Sequence, residues 1–345
     1  MLKKGSVKYK WPLKRKIIAL ICIIYILSFS SFLFLFYGPI NSFKEFWITS
    51  AMTTMNHQFL ATSIYSDSYI QKVLKNNSII EVDEVSDPNQ IHLRKYKSTI
   101  YKNEYEKEIL SHDKDDIYKV INISGKGYQG FLVAIYDPSR VSIATTSQLG
   151  VKGESILTVS KRENAIVAMN AGGFYDPNWN SNGALPHGTV ISNGKVVSDY
   201  ADARMGGGFI GFTKDDKFIL GNMSKDEALK IGYRDAIEFG PYLIVNGKRS
   251  FIKGNGGWGI APRSAIGQRK DGIVLFLVIN GRLASSIGAD MVDLCDIMEN
   301  YGAYNAANLD GGSSSELVIN NEIINTPVAG GKNGLRDMST FWIVK

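Results

Sequence analysis

Between Ile17 and Phe36 the chain reads IIALICIIYILSFSSFLFLF, without a charge, a proline or a glycine. At the helical rise, about 20 such residues reach roughly 30 Å, the hydrocarbon thickness of a bilayer. The spacing predicts one membrane-spanning helix over 17–37. A cleaved signal peptide has an apolar region of only ~7–15 residues followed by small residues at the cut, whereas Phe32 to Tyr37 is bulky. The expectation is therefore an uncleaved, single-pass anchor. Lys3, Lys4, Lys8, Lys10, Lys14, Arg15 and Lys16 precede the span and only Lys44 closely follows it. The positive-inside rule then puts residues 1–16 in the cytoplasm as a basic arm and everything after the span outside the cell.

That arm also accounts for the chain's basic balance. The formal net charge is +6, and without those seven cations the remainder carries about −1, so no general nucleic-acid surface is expected. A hydrophobic content of 44% argues against disorder, and two cysteines argue against a disulfide scaffold. Cys22 lies in the span and Cys295 far from it, so the two are not expected to pair.

Residues 38–117 read as a membrane-proximal stalk and linker. Leu60, Ile64, Tyr65, Tyr69, Ile70 and Val73 recur at roughly helical spacing, with His57 nearby as a bystander; Asn76 to Asp116 is polar, with room for one edge strand. From Tyr118 onward short apolar runs alternate with Gly and Asn. YQGFLVAIYD (128–137), AIVAMN (165–170), GTVISNGKVVS (188–198), GGFIGFTKDDKFIL (207–220), PYLIVNGK (241–248) and GIVLFLVINGR (272–282) read as strands. Turn pairs such as Asn193-Gly194 and Asn246-Gly247 favour hairpins over repeated βαβ units. Helices are expected over Glu154 to Lys161, after Ser224 with Glu227 completing a capping box, and over Ala289 to Tyr301 with Gly302 as the stop. The last places Cys295 in the core. The fold class expected for 118–345 is α+β, a mixed, largely antiparallel sheet domain with a few flanking helices.

Three Gly-rich loops each follow or enter a probable strand. In NAGGFYDPNWNSNGALPHG (170–188), Gly172 and Gly173 permit positive φ and leave amides uncovered, Phe174, Tyr175 and Trp179 offer stacking faces, and Asn170, Asp176 and His187 offer polar ones. In GWGIAPRSAIGQR (257–269), Arg263 enters a strand where a planar guanidinium suits a phosphate or a structural pair. In NLDGGSSSELV (308–318), Asp310 ends a strand, Gly311 and Gly312 form a turn, and Ser313, Ser314 and Ser315 present hydroxyls and amides to an anion. Other motifs fail. Gly206 to Gly211 satisfies GxGxxG, but strand-like residues follow it in place of a phosphate-binding helix, and no Walker loop, HExxH, GxSxG or zinc spacing occurs. Carboxylates and Arg remain, the equipment of glycosidic or phosphoester chemistry.

NAGGFYDP, EFGPYLIVNGK, APRSAIGQ and ANLDGGSSS, in this order, resemble the phosphodiester glycosidase domain. This is the family of the lysosomal enzyme that uncovers mannose 6-phosphate by removing N-acetylglucosamine, and of bacterial proteins described as exopolysaccharide-related. The resemblance covers about residues 120–345. NAGGFY stands here for the usual NGGFF, RSA for RTA and DGGSS for DGGGS.

The resemblance implies cleavage between sugar C1 and a phosphate oxygen, in a glycan or sugar-phosphate polymer at the cell surface. On that reading Arg263, the amides of Gly311 and Gly312 and the Ser313 hydroxyl hold the phosphate. Asp310 or Glu238 stabilises the oxocarbenium-like transition state or activates water, and Asn170, His187 and the aromatics hold the sugar. Two alternatives stay open: a non-catalytic wall- or exopolysaccharide-binding assembly protein, and a phosphodiesterase cutting the P–O bond. The sequence does not decide a calcium requirement; Ca2+ is the one candidate cofactor, with Asp176 and Asp310 as its candidate ligands.

Overall fold

The structure, a computed structural model, describes residues 11–54, 57–93, 100–175, 181–200, 207–328 and 334–345. Trp179 and Asp176 lie outside these residues. The apolar run forms one helix, Leu13–Tyr37, and none of its most apolar 18-residue window is buried by the protein. A helix of this length spans about 37 Å, and being apolar on all sides it lacks the polar face that a water-exposed helix carries. It is long and apolar enough to cross a membrane.

The stalk is three helices, Asn41–Met52, Phe59–Thr62 and Asp67–Asn76. The single periodicity in the sequence is interrupted because Ser66 stops one segment and caps the next, its hydroxyl accepting from the Tyr69 amide. Ile48, Ala51, Ala61, Ile70 and Val73 close these helices on one another. Phe36 meets Phe43 and Trp47 edge-on at centroid distances of 5.2 and 4.8 Å, and the Tyr65 hydroxyl donates to the Phe36 carbonyl. The polar stretch that follows contributes a strand, Ser78–Ile80, antiparallel to Phe251–Lys253. It also holds a helix the sequence did not advertise, Glu104–Leu110, capped by Asn103 and burying Ile109 and Leu110.

The remainder is α+β, and every strand pairing among the described residues is antiparallel. A seven-stranded sheet runs in the order Lys248–Arg249, Tyr242–Val245, Ala303–Asn308, Arg263–Arg269, Val274–Ile279, Tyr128–Ile135, Tyr118–Gly125. The strand Val274–Ile279 is apolar at every position because both faces are covered. Val274, Phe276 and Val278 face a core shared with the other sheets, whereas Leu275, Leu277 and Ile279 pack under the helix Met291–Asn300 through Leu294 and Met298. Phe276 is fully buried, and its truncation to Ala should cost about 3–5 kcal/mol.

Two five-stranded sheets complete the shared core. One is Phe218–Gly221, Gly208–Thr213, Tyr233–Phe239, Gly188–Ser192, Lys195–Tyr200; the other is Glu322–Ile323, Leu317–Ile319, Val167–Asn170, Thr340–Val344, Val141–Thr145. Ile210, Phe212 and Ile237 from the first meet Val167, Met169 and Trp342 from the second. The hairpin turns take the conformations their residues allow, with Asn193 and Gly194 at φ 51° and 73°. The helix expected from Glu154 begins at Ile156 instead and ends at Glu163. Glu154–Ser155 pairs as a strand with Asp337–Met338, and the Ser155 hydroxyl accepts from Thr158 to cap the helix.

Candidate active site

The three Gly-rich loops meet where the ends of interior strands from two sheets come together. The strands Arg263–Arg269 and Ala303–Asn308 are antiparallel with Ala265 opposite Asn308, so the start of one lies beside the end of the other. Leu309 N donates to Ser264 O and Gly312 N to Pro262 O, at 2.9 and 2.8 Å. On its other side the Asp310 amide donates to Ala171 O at 3.1 Å. Asn170 bolts the junction together: its Nδ2 donates to Asp310 O at 2.6 Å, and its Oδ1 accepts from the Ser264 hydroxyl at 2.7 Å and the Glu316 amide at 3.3 Å. Asn170 is fully buried with both ends of its amide engaged, which makes it a positioning residue for the Asp310 loop.

The charge at this junction is mainly positive. Arg263 is 4% exposed; its Nε donates to Ala289 O at 3.2 Å, and its Nη2 donates to the carbonyls of Trp258 and Gly259. Burial, reinforced by the charge of Arg282, pulls its pKa down to about 10, against the pull of Asp290 and Asp310. Three backbone bonds occupy one edge of the fork, leaving Nη1 beside Gly311, 3.6 Å from where a Cβ would stand.

Two arginines that the sequence did not single out join it. Arg282 holds a left-handed φ of 57°, a conformation costly for a residue that carries a side chain. Its Nη2 lies 3.3 Å from the place a Cβ on Gly312 would take, so Gly312, itself at φ 63°, is glycine on both counts. Arg336 donates through Nη1 to the Ser313 hydroxyl at 2.7 Å and stacks on Phe174, 4.6 Å from the ring centroid. Burial and the charge of Arg336 both lower the Arg282 pKa. The Asp310 carboxyl is pushed up by burial and drawn back by the Ser314 hydroxyl, Arg336, the Gly311 amide and Arg263.

The loop amides differ from expectation. Gly311 N–H donates to the Asp310 carboxylate at 3.0 Å and Gly312 N–H to Pro262 O. Both shape the loop; neither is directed at an outside anion. In the first loop, Gly172 and Gly173 do not adopt positive φ; Gly172 N–H donates to the Thr340 hydroxyl at 3.2 Å, and the Gly173 carbonyl accepts from His187 N at 3.0 Å. Phe174 is 5% exposed, a platform for Arg336.

Glu238 belongs to a second group. Its Oε2 accepts from Thr189 N at 2.6 Å, and the Thr189 hydroxyl in turn donates to Asp199, which pairs with Lys225. Ile237 points to Gly172, its tip 3.4 Å from a Cβ placed there. Strand alternation therefore sends Glu238 out of the opposite face. This group touches the first through the bond between His187 and Gly173.

Glu316 is a further residue the sequence reading passed over. It is fully buried; Oε1 accepts from Arg336 N at 2.8 Å, and Oε2 has no hydrogen-bond partner among the described residues. Burial raises its pKa to about 8. The signal for it was a lone carboxyl directly after a serine run and before a buried strand. For Arg282 it was a cation in the short turn after the strand Val274–Ile279, which pairs with the strand of Arg263. Of the two candidate calcium ligands, Asp176 lies outside the described residues; among the described residues no group of three or more His, Cys, Asp or Glu gathers, and Asp310 has Arg336 and Arg263 acting on it.

Residues 163–345, more than half the chain, match the phosphodiester glycosidase family, and the chain belongs to it. A curated relative is the SPbeta prophage-derived uncharacterized protein YomE of Bacillus subtilis (strain 168), 30% identical over 213 residues, 59% of this chain and 31% of the relative. The chain thus spans about a third of that relative's length. Among solved structures, the zebrafish N-acetylglucosamine-1-phosphodiester alpha-N-acetylglucosaminidase catalytic domain, auto-inhibited by its pro-peptide, aligns with a TM-score of 0.54 at 20% identity. The alignment covers 68% of this chain and 85% of that one, and it shows a shared fold.

Proposed function

We propose that this protein is a membrane-anchored, extracytoplasmic glycosidase that hydrolyses a sugar-1-phosphodiester in a cell-surface or exopolysaccharide glycan. The observation that carries the reading is the gathering of Arg263, Arg282 and Arg336 around the Asp310–Ser313 loop. A phosphodiester is an anion, and its phosphate leaves as a stable one, so the reaction needs charge handling more than proton donation. Arg282, Arg336 with the Ser313 hydroxyl, and Nη1 of Arg263 supply the positive field for the leaving phosphate. Asp310, held in place by Asn170, faces the cationic sugar or activates water; Glu238 stands in reserve on the neighbouring group. Family membership and the activity of the zebrafish relative support a phosphodiester-linked sugar as substrate. The apolar helix Leu13–Tyr37 and the basic residues before it support the anchor and its orientation.

The full chain in detergent micelles, given the methyl phosphodiester of N-acetylglucosamine 1-phosphate in isotopically labelled water, should release sugar carrying the label. Label in the phosphate would mean P–O cleavage. No release from this or other sugar-1-phosphodiesters would favour a polymer-binding protein.

A further inference from the structure

The stalk lies against the candidate site. The loop 254–260 supplies the Trp258 and Gly259 carbonyls that hold Arg263, and it is fastened from outside by the stalk. Asn255 Nδ2 donates to the Thr49 hydroxyl at 2.8 Å, Asn255 N to Asn77 Oδ1 at 3.0 Å, and the Thr53 hydroxyl to Trp258 O at 3.3 Å. At Gly257, φ is 78° and a Cβ would stand 2.4 Å from Asn77 O, so the close approach depends on glycine. Between these two layers lies a solvent-open cavity of about 320 Å³.

One wall of the cavity is Leu74 to Glu81 of the stalk segment; the other is the Gly240–Pro241 turn and Gly256 to Trp258. The second wall is bonded to the candidate site on both sides. Asn308, two residues before Asp310, donates Nδ2 to Gly240 O at 3.0 Å and its backbone N–H to Pro241 O at 2.9 Å. The Trp258 ring centroid lies 5.9 Å from the Arg263 Cζ.

The lining has a definite chemical character. It carries one carboxylate, Glu81, a hydroxyl residue, Ser78, the tryptophan Trp258 and several aliphatic or glycine residues, while the side-chain amide of Asn77 is already bonded to Val73 O and Asn255 N; among the described residues the lining has no Lys, Arg or His. A phosphate would meet Glu81 without a counter-charge, so the anion-binding role ends at the arginines. A volume at the low end of ligand pockets, roughly 300–1,000 Å³, suits a small occupant. A tryptophan beside a carboxylate and a hydroxyl matches a ring that has apolar C–H faces and hydroxyl edges, since hydroxyl bonds to a carboxylate are the stronger ones.

We propose that this cavity is an accessory carbohydrate subsite, taking a neutral pyranose of the glycan that flanks the scissile phosphodiester, with the stalk segment 74–81 as one wall. It rests on the functional reading above in taking the ligand to be a glycan. The stalk wall lies before the family-matched region and the other wall within it, so the N-terminal segment completes this subsite.

The test is direct binding to the full chain in micelles, which needs no turnover. Maltotriose, chitotriose and mannotriose are titrated by calorimetry, with calcium chloride and inorganic phosphate as separate titrants. At least one trisaccharide should bind, with Kd raised tenfold or more by Glu81→Ala. Glu81 Oε2 also accepts from Tyr242 N at 3.1 Å, so Glu81→Gln, which keeps an acceptor there, guards against misfolding and should raise Kd several-fold. Binding of none of the three sugars, or sugar binding indifferent to both substitutions, overturns the proposal, as does a calcium response that Glu81→Gln removes in place of a sugar response. Sugar binding that depends on Glu81 in a protein without hydrolysis would sink the catalytic reading and leave the subsite standing; hydrolysis without such binding would do the reverse.

Discussion

Two carboxylates close strands near the same corner of the molecule, and their surroundings could hardly differ more. Asp310 sits in a loop stitched to both flanking loops, with Arg336 and Arg263 acting on it and its own Gly311 amide turned back to it. Glu238 leaves the opposite face of its sheet from Ile237 and is tied to Thr189 N, beside the Asp199 and Lys225 pair. One carboxylate is placed among cations that can receive an anion; the other is absorbed into local structure. The difference teaches that a carboxylate at a strand end gains chemical meaning from the charges that neighbouring loops bring to it.

The sharpest way to break this contrast is to neutralise each carboxylate. Asp310→Asn should lower sugar release from the N-acetylglucosamine-1-phosphate methyl diester by about 10²–10⁴-fold, the usual scale for removing an acid–base or electrostatic group. Glu238→Gln keeps the acceptor for Thr189 and should change turnover only a few-fold. Equal losses in the two variants, measured as initial rates, would erase the distinction and return Glu238 to the catalytic pair.

The arginines sharpen it further. Arg336→Lys loses both the Nη1 bond to the Ser313 hydroxyl and the stack on Phe174 and should lower kcat/KM by roughly tenfold or more, with little change in Tm. Arg263→Lys should act differently, because three of its donor bonds hold buried backbone carbonyls. A loss of about 2–4 kcal/mol of stability is expected, read as a lowered denaturation midpoint.

The smallest effect belongs to Glu316. Its folded-state pKa of about 8 lies above the ordinary 4.5, so the native state holds this proton more tightly than the unfolded chain. Stability from this group is therefore present below about pH 4.5 and is lost as pH rises towards 8. Glu316→Gln should flatten that slope and, near pH 8, leave the protein about 1–2 kcal/mol more stable than the wild type after allowance for relaxation. Parallel Tm profiles for the two proteins from about pH 5 to about pH 8.5 would show that the carboxyl does not titrate as described.

Much of the fold was legible because the local signals and the tertiary answer agree. Asn246-Gly247 and Asn193-Gly194 form left-handed turns where hairpins were expected, and the Ser224–Glu227 capping box opens its helix at Lys225. Cys295 is buried on the core face of the helix Met291–Asn300 as its periodicity implied. The site was only partly legible. Glycines announce where a chain can turn, but the direction of each amide is decided by the partner that arrives, and Pro262 O and Asp310 itself claimed Gly312 and Gly311. Arg336 was hidden for a related reason, since nothing local distinguishes a surface arginine from one that a distant loop will enclose, and Arg282 offered only its place shortly after a strand. The helix Glu104–Leu110 escaped notice because its charged residues mask the two that it buries, Ile109 and Leu110.

The bolting of loop 254–260 to the stalk, and of the stalk to the end of the helix Leu13–Tyr37 through Phe36, Trp47 and Tyr65, has a mechanical meaning. With that helix in a bilayer, as proposed above, the site would have no slack tether and would work at a set height above the lipid. Its encounters are then with molecules that share that surface, and its working rate follows their density per area of membrane instead of their concentration in the surrounding fluid.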